Sequence, residues 1–322
     1  MPVRRKEAQV SCAERKRQRA KIGSLSENRV GRGSAKRDNE NLAYFFWLLP
    51  VLCGPWAPDW ETRDQQVMVF LEAMWCEGES RNRAGDLLSA LLWHYKTRQK
   101  LPGSWAMFRT WAKLDPPAQT WPLPCAALFG MLGQAVTWGW TELAALLYIS
   151  FHCFLRTGEM LSLSCAQVRG SKAAPVLCLA DTKTSKRHGE AEYIAVEDEV
   201  AVILLHWLMG RKNHVGNFFS ASPAVFRKMF RFLAESIGLD SAAFTPYSIR
   251  RGGATHDYMT HGDLNRSLIR GRWQTGKTAR IYIKVGEELL ARPWCVGRAT
   301  QLEALRKVFL NFVNSILLRP GG

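Results

Sequence analysis

The residues of this sequence that could carry chemistry are concentrated between positions 245 and 284. The interval from Asp263 to Glu287 holds six basic residues and no acidic one between its ends: Arg266, Arg270, Arg272, Lys277, Arg280 and Lys284. Such a group is typical either of a solvated surface or of a face that binds nucleic-acid phosphates. The whole chain has 44 Lys and Arg against 28 Asp and Glu, a formal net charge of +16, which favours a polyanionic partner.

A glycine pair lies inside the helix that is predicted just upstream of this interval. Pro246 is typical of a helix start and Gly262 of a helix end, so Gly252 and Gly253 would lie in the helix interior. Each glycine there costs about 1 kcal/mol relative to alanine. The pair therefore predicts a close backbone approach, either to another helix or to a phosphate.

Several motifs occur along the chain in a specific order. They are Arg156-Thr-Gly-Glu159, Lys183 with Lys186 three residues on, Tyr247-Ser-Ile-Arg250, Trp273 and Tyr282. Trp273 follows Arg250 by 23 residues, and Tyr282 follows Trp273 by nine. In these motifs and intervals the chain resembles the tyrosine recombinases, the phage-integrase-like family, over roughly residues 60 to 300.

The resemblance implies a DNA strand-exchange enzyme, a site-specific recombinase or integrase that needs neither metal nor other cofactor. Tyr282 would attack a phosphodiester of double-stranded DNA and form a 3′-phosphotyrosyl link. Arg156 and Arg250 would bind the scissile phosphate, since a guanidinium fork binds two oxygens and stays charged. Lys183, with Lys186 as its competitor, would protonate the leaving 5′ oxygen.

Other residues would support these groups or hold the DNA. Trp273 would donate its one indole N–H to a non-bridging oxygen, and Glu159 would support Arg156. We expect further DNA contacts from basic residues near the site: Lys186, Arg251, Arg272, Lys277 and Arg280. The resemblance also implies that four protomers act on two duplexes.

Tyr247 departs from the family pattern, which has histidine at this position. A tyrosine with its unperturbed pKa of about 10 is a poor base, although its hydroxyl still donates a hydrogen bond. We therefore expect phosphate binding to be kept and cleavage to be slowed about 10- to 100-fold. The main alternative is a catalytically impaired DNA-binding protein with the recombinase fold. A type IB-like topoisomerase and an RNA-binding module are less favoured.

Four segments would position these residues. Residues 1–40 carry 12 Lys and Arg against 5 Asp and Glu and almost no large apolar residue, which predicts a disordered basic tail. Apolar residues at helical spacing predict a helical domain over 41–116, which the resemblance implies is a DNA-binding, core-binding-like domain. A proline-rich joint then leads to a catalytic domain over 120–300. An amphipathic helix is predicted over 301–322, packed either within the chain or on a neighbouring protomer.

The predicted fold class is mostly α with a small β-sheet (α+β). A helical stretch over 125–164 precedes two β-like runs at 175–180 and 191–196, which would form a hairpin with a basic tip. The apolar run 143–155 has 13 residues, too few to cross a bilayer, so we expect a buried helix and no membrane partner.

The cysteines and the basic tail indicate in which cellular compartment the protein is expected. The eight cysteines are scattered without zinc spacing, which indicates reduced thiols in an intracellular protein. The basic tail favours the nucleus if the host is eukaryotic. A mobile element, or a domesticated descendant of one, is the natural context for such a chain.

Overall fold

The computed structural model describes residues 16–17, 20–21, 32–96, 100–116, 120–180, 191–211 and 216–318. The chain divides into two compact units, Met1–Ala118 and Gln119–Gly322. In the part of the chain that the structure describes, no helix is both long and apolar enough to cross a membrane.

The described part of the first unit is built from four helices. They are α1 (Arg32–Cys53), α2 (Trp60–Cys76), α3 (Arg81–Tyr95) and α4 (Pro102–Leu114). Their apolar faces enclose a core in which Phe45 and Phe70 make an edge-to-face contact at 4.9 Å. The Asp64 carboxylate of α2 accepts hydrogen bonds from the backbone N–H groups of Gly103 and Ser104, at 2.7 and 2.9 Å, which ties α2 to the start of α4.

Helix α1 begins earlier than the sequence indicated. Its first nine residues, 32–40, fall in the segment predicted to be a disordered tail. For these nine residues the prediction of disorder is wrong, because they are helical. These residues lack a core of their own, but they continue a helix whose second half is buried through Phe45 and Leu49. An Arg37–Asp86 ion pair at 3.9 Å adds a contact to α3. Most of residues 1–31 lie outside the described residues.

The second unit contains a three-stranded antiparallel sheet surrounded by helices. In chain order its elements are α5 (Cys125–Thr137), α6 (Thr141–His152), α7 (Thr157–Leu161), β1 (Val168–Gly170), β2 (Pro175–Leu179), β3 (Glu192–Ala195), α8 (Glu199–Arg211), α9 (Pro223–Ser236), α10 (Tyr247–His261), α11 (Leu264–Gly271), α12 (Gly276–Tyr282), α13 (Val285–Val296) and α14 (Ala299–Leu317). The strands β2 and β3 form the predicted hairpin, in a register that pairs Leu177 with Ile194. The α+β fold class is confirmed.

The core of this unit is centred on α6, which is buried on every side from Leu143 to Phe151. A helix that is apolar all round belongs in a protein interior. The terminal helix α14 packs within the chain, because Leu302 and Phe309 are buried in the same core. At Gly133 of α5, an added Cβ would lie 2.0 Å from the carbonyl oxygen of Leu305, so α5 and α14 approach more closely than any side chain would allow.

Candidate active site

Helix α10 carries three of the predicted site residues, and its glycine pair sets their position. Pro246 precedes the helix and Gly262, in the left-handed conformation, ends it, as predicted. A Cβ on Gly252 would lie 2.2 Å from the carbonyl oxygen of Leu123, and one on Gly253 would lie 1.9 Å from that of Phe151. The close backbone approach predicted from the glycine pair is therefore to Leu123 and to the C-terminal end of α6.

That approach buries Arg250 at the end of α6. Arg250 is 1% exposed, and its Nη1 and Nη2 atoms donate to the carbonyl oxygens of Phe154 and Gly271, the latter at 2.8 Å. Phe154 has a φ of +48°, a left-handed conformation at which its carbonyl also accepts from Arg272 at 3.2 Å. The partial negative charge at a helix C-terminus favours such cations. Burial, with repulsion from Arg272 and Arg156, lowers the pKa of Arg250 to about 10.

Arg156 and Glu159 form an ion-pair network with two further charged residues. Glu159 Oε1 lies 2.5 Å from Nη1 of Arg156, and its Oε2 lies 2.8 Å from Nη2 of Arg272. Glu192, on β3, places Oε2 3.0 Å from Nη1 of Arg272 and 3.5 Å from Nη1 of Arg156. Burial alone would raise the pKa of Glu159, but the two arginines and the Arg156 backbone N–H lower it. Each of the two arginines is thus paired with both carboxylates of the network.

Three aromatic residues, Tyr247, Trp273 and Tyr282, form a cluster next to Arg250. The ring of Tyr282 stacks on that of Trp273 at 4.6 Å, and the ring of Tyr247 lies 5.6 Å from Tyr282. The guanidinium carbon of Arg250 lies 5.1 Å from the centre of the Tyr282 ring. Trp273 is buried, and its Nε1–H is among the buried polar atoms of the described residues that have no hydrogen-bond partner. It is therefore a free donor next to a tyrosine and a buried arginine.

The structure brings together six predicted residues, and it places the others as follows. Tyr282, Arg156, Arg250, Trp273, Tyr247 and Glu159 share this site. Lys183 and Lys186 lie outside the described residues. Lys277 and Arg280 are exposed on α12, the helix that ends at Tyr282. Arg251 is buried instead, where its Nη1 donates to the carbonyl oxygen of Thr120 at 2.6 Å. The guanidinium group of Arg272 forms ion pairs with Glu159 and Glu192 within the protein.

Two features of the site were missed by the sequence reasoning. Glu192 is the first residue of a short strand, and its only sequence signal is its place next to the predicted basic hairpin tip. The Phe154 carbonyl carries no signal at all, because its role depends on a backbone φ that no residue type at that position indicates. Among the described residues, no group of three or more His, Cys, Asp or Glu could hold a metal ion.

Comparisons with known proteins give a fold rather than a close relative. No protein-family model matches the chain, and no curated protein matches it in sequence. Solved structures of the Tn1549 transposon integrase match in shape, each in complex with DNA. The complex with circular intermediate DNA has a TM-score of 0.56 at 12% identity, covering 84% of this chain and 93% of that chain.

A second complex of the same integrase, with transposon right end DNA, has a TM-score of 0.53 at 12% identity, covering 88% of this chain and 98% of that chain. At such low identity the likeness bears on the fold alone. It agrees with the order of helices and the small sheet described above, and with the resemblance read from the motifs. The chain therefore has the tyrosine recombinase fold.

Proposed function

We propose that this protein cleaves and rejoins double-stranded DNA through a 3′-phosphotyrosyl intermediate on Tyr282. The observation that carries the proposal is the meeting of three residues from separate elements: Tyr282 stacks on Trp273 at 4.6 Å and lies 5.1 Å from the guanidinium carbon of Arg250. A nucleophile, a free N–H donor and a cation, the groups that phosphodiester cleavage requires, thus lie next to one another.

The proposed reaction is a transesterification. The Tyr282 hydroxyl loses its proton to water and its oxygen forms a bond to phosphorus. The bond from phosphorus to the 5′ oxygen breaks, and that oxygen takes a proton from Lys183, which regains one from water. Arg156, Arg250 and the indole N–H of Trp273 stabilise the charge that develops on the non-bridging oxygens, a contribution typically worth a few kcal/mol per donor. Rejoining runs the same steps in reverse, so no cofactor or energy source is consumed.

DNA as the partner is supported by charge and by the neighbours in shape. The net charge of +16 gives a general attraction to polyanions, and Lys277 and Arg280 are exposed on the helix that ends at Tyr282. The Tn1549 integrase, which shares the fold, is itself bound to DNA. The four-protomer assembly, DNA binding by the helical domain over 41–116, and a mobile-element origin are further parts of this proposal.

A second candidate function, DNA binding without cleavage, is favoured by the state of Arg250. This residue is 1% exposed and both of its terminal nitrogens donate to backbone carbonyls. The ring of Tyr282 lies against it. A phosphate would reach Arg250 only after Tyr282 moves, and Tyr247 replaces the histidine that would assist the reaction.

A covalent-trap assay separates the two functions. The full chain is mixed with end-labelled fragments from its own genomic neighbourhood, some nicked to prevent religation, and quenched in detergent. A labelled adduct that disappears in Tyr282→Phe supports cleavage. Tight, salt-dependent binding of the same fragments without an adduct supports the second candidate. An adduct that persists in Tyr282→Phe overturns Tyr282 as the nucleophile.

A further inference from the structure

The carboxylate of Glu192 lies between two arginines of the candidate site. Its Oε2 atom is 3.0 Å from Nη1 of Arg272 and 3.5 Å from Nη1 of Arg156. Both arginines have a second anionic partner in Glu159, each on a different oxygen. One carboxylate oxygen thus faces two guanidinium groups, a geometry that equally suits a non-bridging oxygen of a phosphodiester.

The two carboxylates of this network are held differently. Glu159 is fixed by its own turn of chain, because its Oε2 also accepts from the backbone N–H of Arg156 at 2.8 Å. Within the described residues, the carboxylate of Glu192 pairs with Arg156 and Arg272 alone. Its side chain is also more open to solvent, 12% against 7% for Glu159. Glu192 is therefore the anion of the pair that a ligand can replace.

The backbone of Arg272 directs this arginine into the site. Arg272 ends α11 with a φ of +58°, in the left-handed conformation that glycine usually adopts at this position. The carbonyl oxygen of Phe154 accepts from both Arg272 and Arg250. A non-glycine residue in this conformation is strained. The strained backbone directs the Arg272 side chain to the same two carboxylates, Glu159 and Glu192, that bind Arg156.

We propose that Arg272 is a third phosphate-binding residue and that Glu192 is an internal anion that occupies the phosphate position on Arg156 and Arg272 until DNA displaces it. The proposal rests on the proposed function, and it names the residues that regulate entry to the same site. No covalent bond changes in the exchange: a carboxylate leaves two guanidinium groups and a phosphate takes its place. The apparent affinity for phosphate then equals the intrinsic affinity multiplied by the fraction of molecules in which Glu192 has left the two arginines.

The test uses the full chain and inorganic phosphate as the probe, with chloride added to hold ionic strength constant. Glu192→Gln removes the competing charge, and its dissociation constant for phosphate should fall about tenfold if the occupied state predominates by about ten to one. Arg272→Gly removes the guanidinium while keeping a residue that accepts the positive φ, and its dissociation constant should rise about tenfold. Calorimetric titration measures both.

Glu197→Gln is a matched control. Glu197 also pairs one carboxylate oxygen with two arginines, Arg266 at 2.7 Å and Arg270, outside the candidate site. The substitution makes the same change of charge, so the phosphate affinity of this variant should equal that of the wild type. A gain in Glu197→Gln as large as that in Glu192→Gln would mean that net charge alone is responsible, and would overturn the proposal.

Two other results would also overturn it: phosphate affinity unchanged or weaker in Glu192→Gln, or unchanged in Arg272→Gly. If Arg272→Gly does not fold, Glu192→Gln and its control decide the question. The covalent-trap assay on the same proteins keeps the two proposals apart. Phosphate affinities that change as expected without any adduct contradict DNA cleavage only, whereas a Tyr282-dependent adduct with unchanged phosphate affinities contradicts the role of Glu192 only.

Discussion

The rings of Tyr247 and Tyr282 lie 5.6 Å apart with an angle of 46° between their planes. Burial raises the pKa of the Tyr247 hydroxyl, and the side-chain hydrogen bond that it shares with Tyr282 raises it further. Tyr247 therefore stays protonated at neutral pH. It can orient the Tyr282 hydroxyl, but it cannot take up the proton that Tyr282 loses when it attacks phosphorus.

Replacing Tyr247 with histidine should speed up DNA cleavage. Imidazole has an ordinary pKa of about 6.5, so it can accept a proton at neutral pH. We expect Tyr247→His to form the covalent adduct about 10- to 100-fold faster, with a rate that rises as the imidazole is deprotonated. Rapid quenching of the trap reaction between pH 5.5 and 8.5 measures this rate. Tyr247→Phe, which keeps the ring and loses the hydroxyl, should be slower than wild type; a Tyr247→His variant as slow as Tyr247→Phe contradicts the argument.

The indole N–H of Trp273 should matter for the reaction and little for the fold. It has no hydrogen-bond partner, so its removal leaves no protein acceptor unpaired. We expect Trp273→Phe, which keeps an aromatic ring against Tyr282, to slow adduct formation about 100-fold, the usual cost of losing one donor to a developing oxyanion. The trap reaction gives the rate, and thermal unfolding gives the stability.

Trp111 provides a matched control for this substitution. It is also 5% exposed and also has a buried Nε1 without a partner, but it lies in the first unit. Trp111→Phe should lose a similar stability, through the cavity that the smaller ring leaves, while the rate of adduct formation stays at the wild-type level. Equal rates for Trp273→Phe and wild type would remove Trp273 from the proposed mechanism.

The local structure of the second unit was largely predictable from the sequence. The start and end of α10 follow from Pro246 and Gly262, because the conformational limits of these residue types act within one turn of chain. The close approach at Gly253 was predicted from the cost of a glycine inside a helix. The strands β2 and β3 were located within one residue of their ends, by runs of apolar and β-branched residues.

The burial of the arginines was not predictable in the same way. Sequence reasoning grouped Arg251 and Arg272 with the exposed basic residues, since all of them share one charge and one stretch of chain. Whether an arginine faces solvent or an internal partner depends on contacts between distant elements, such as the pairing of Arg272 with Glu159 across 113 residues. The same limit hid Glu192, whose partners come from two other elements.

The contact between Gly253 and α6 should not tolerate a methyl group. Because a Cβ on Gly253 would lie 1.9 Å from the carbonyl oxygen of Phe151, Gly253→Ala forces α10 and α6 apart. We expect a loss of about 3 kcal/mol, at the upper end of the usual cost of overpacking. In a unit of this size that lowers the melting temperature by about 6 to 12 °C, which circular dichroism can follow. Adduct formation should fall as well, since α10 carries Arg250.

Gly286 gives the control for this prediction. It lies in α13, and an added Cβ would meet nothing within 4 Å. Gly286→Ala should raise the free energy of unfolding by about 0.5 to 1 kcal/mol, because alanine has less backbone freedom to lose. Equal melting temperatures for Gly253→Ala and the wild type would mean that α10 and α6 are not in contact as described.

His152 should make the stability of the protein depend on pH. Its ring stacks on Tyr148 at 4.4 Å, its Nδ1 lies 3.6 Å from Asp198, and its Nε2 is buried without a partner. Burial lowers the pKa of His152 below its ordinary value of 6.5; Asp198 opposes this effect, while His256 and Arg270 add to it. As the pH falls below 6.5, the unfolded chain takes up this proton before the folded chain does, so the folded state loses stability.

We therefore expect the melting temperature to fall as the pH is lowered from 7 through 6.5 towards the folded-state pKa of His152. Once His152 is protonated in the folded state as well, its contribution to this fall should stop. His152→Gln removes the titrating group, so its melting temperature should fall less over the same range. His94→Gln, at an exposed histidine in the first unit, should keep the full wild-type decline. Parallel curves for wild type and His152→Gln would show that His152 binds its proton equally well in the folded and unfolded chain, because only a difference in proton binding between the two states makes stability depend on pH.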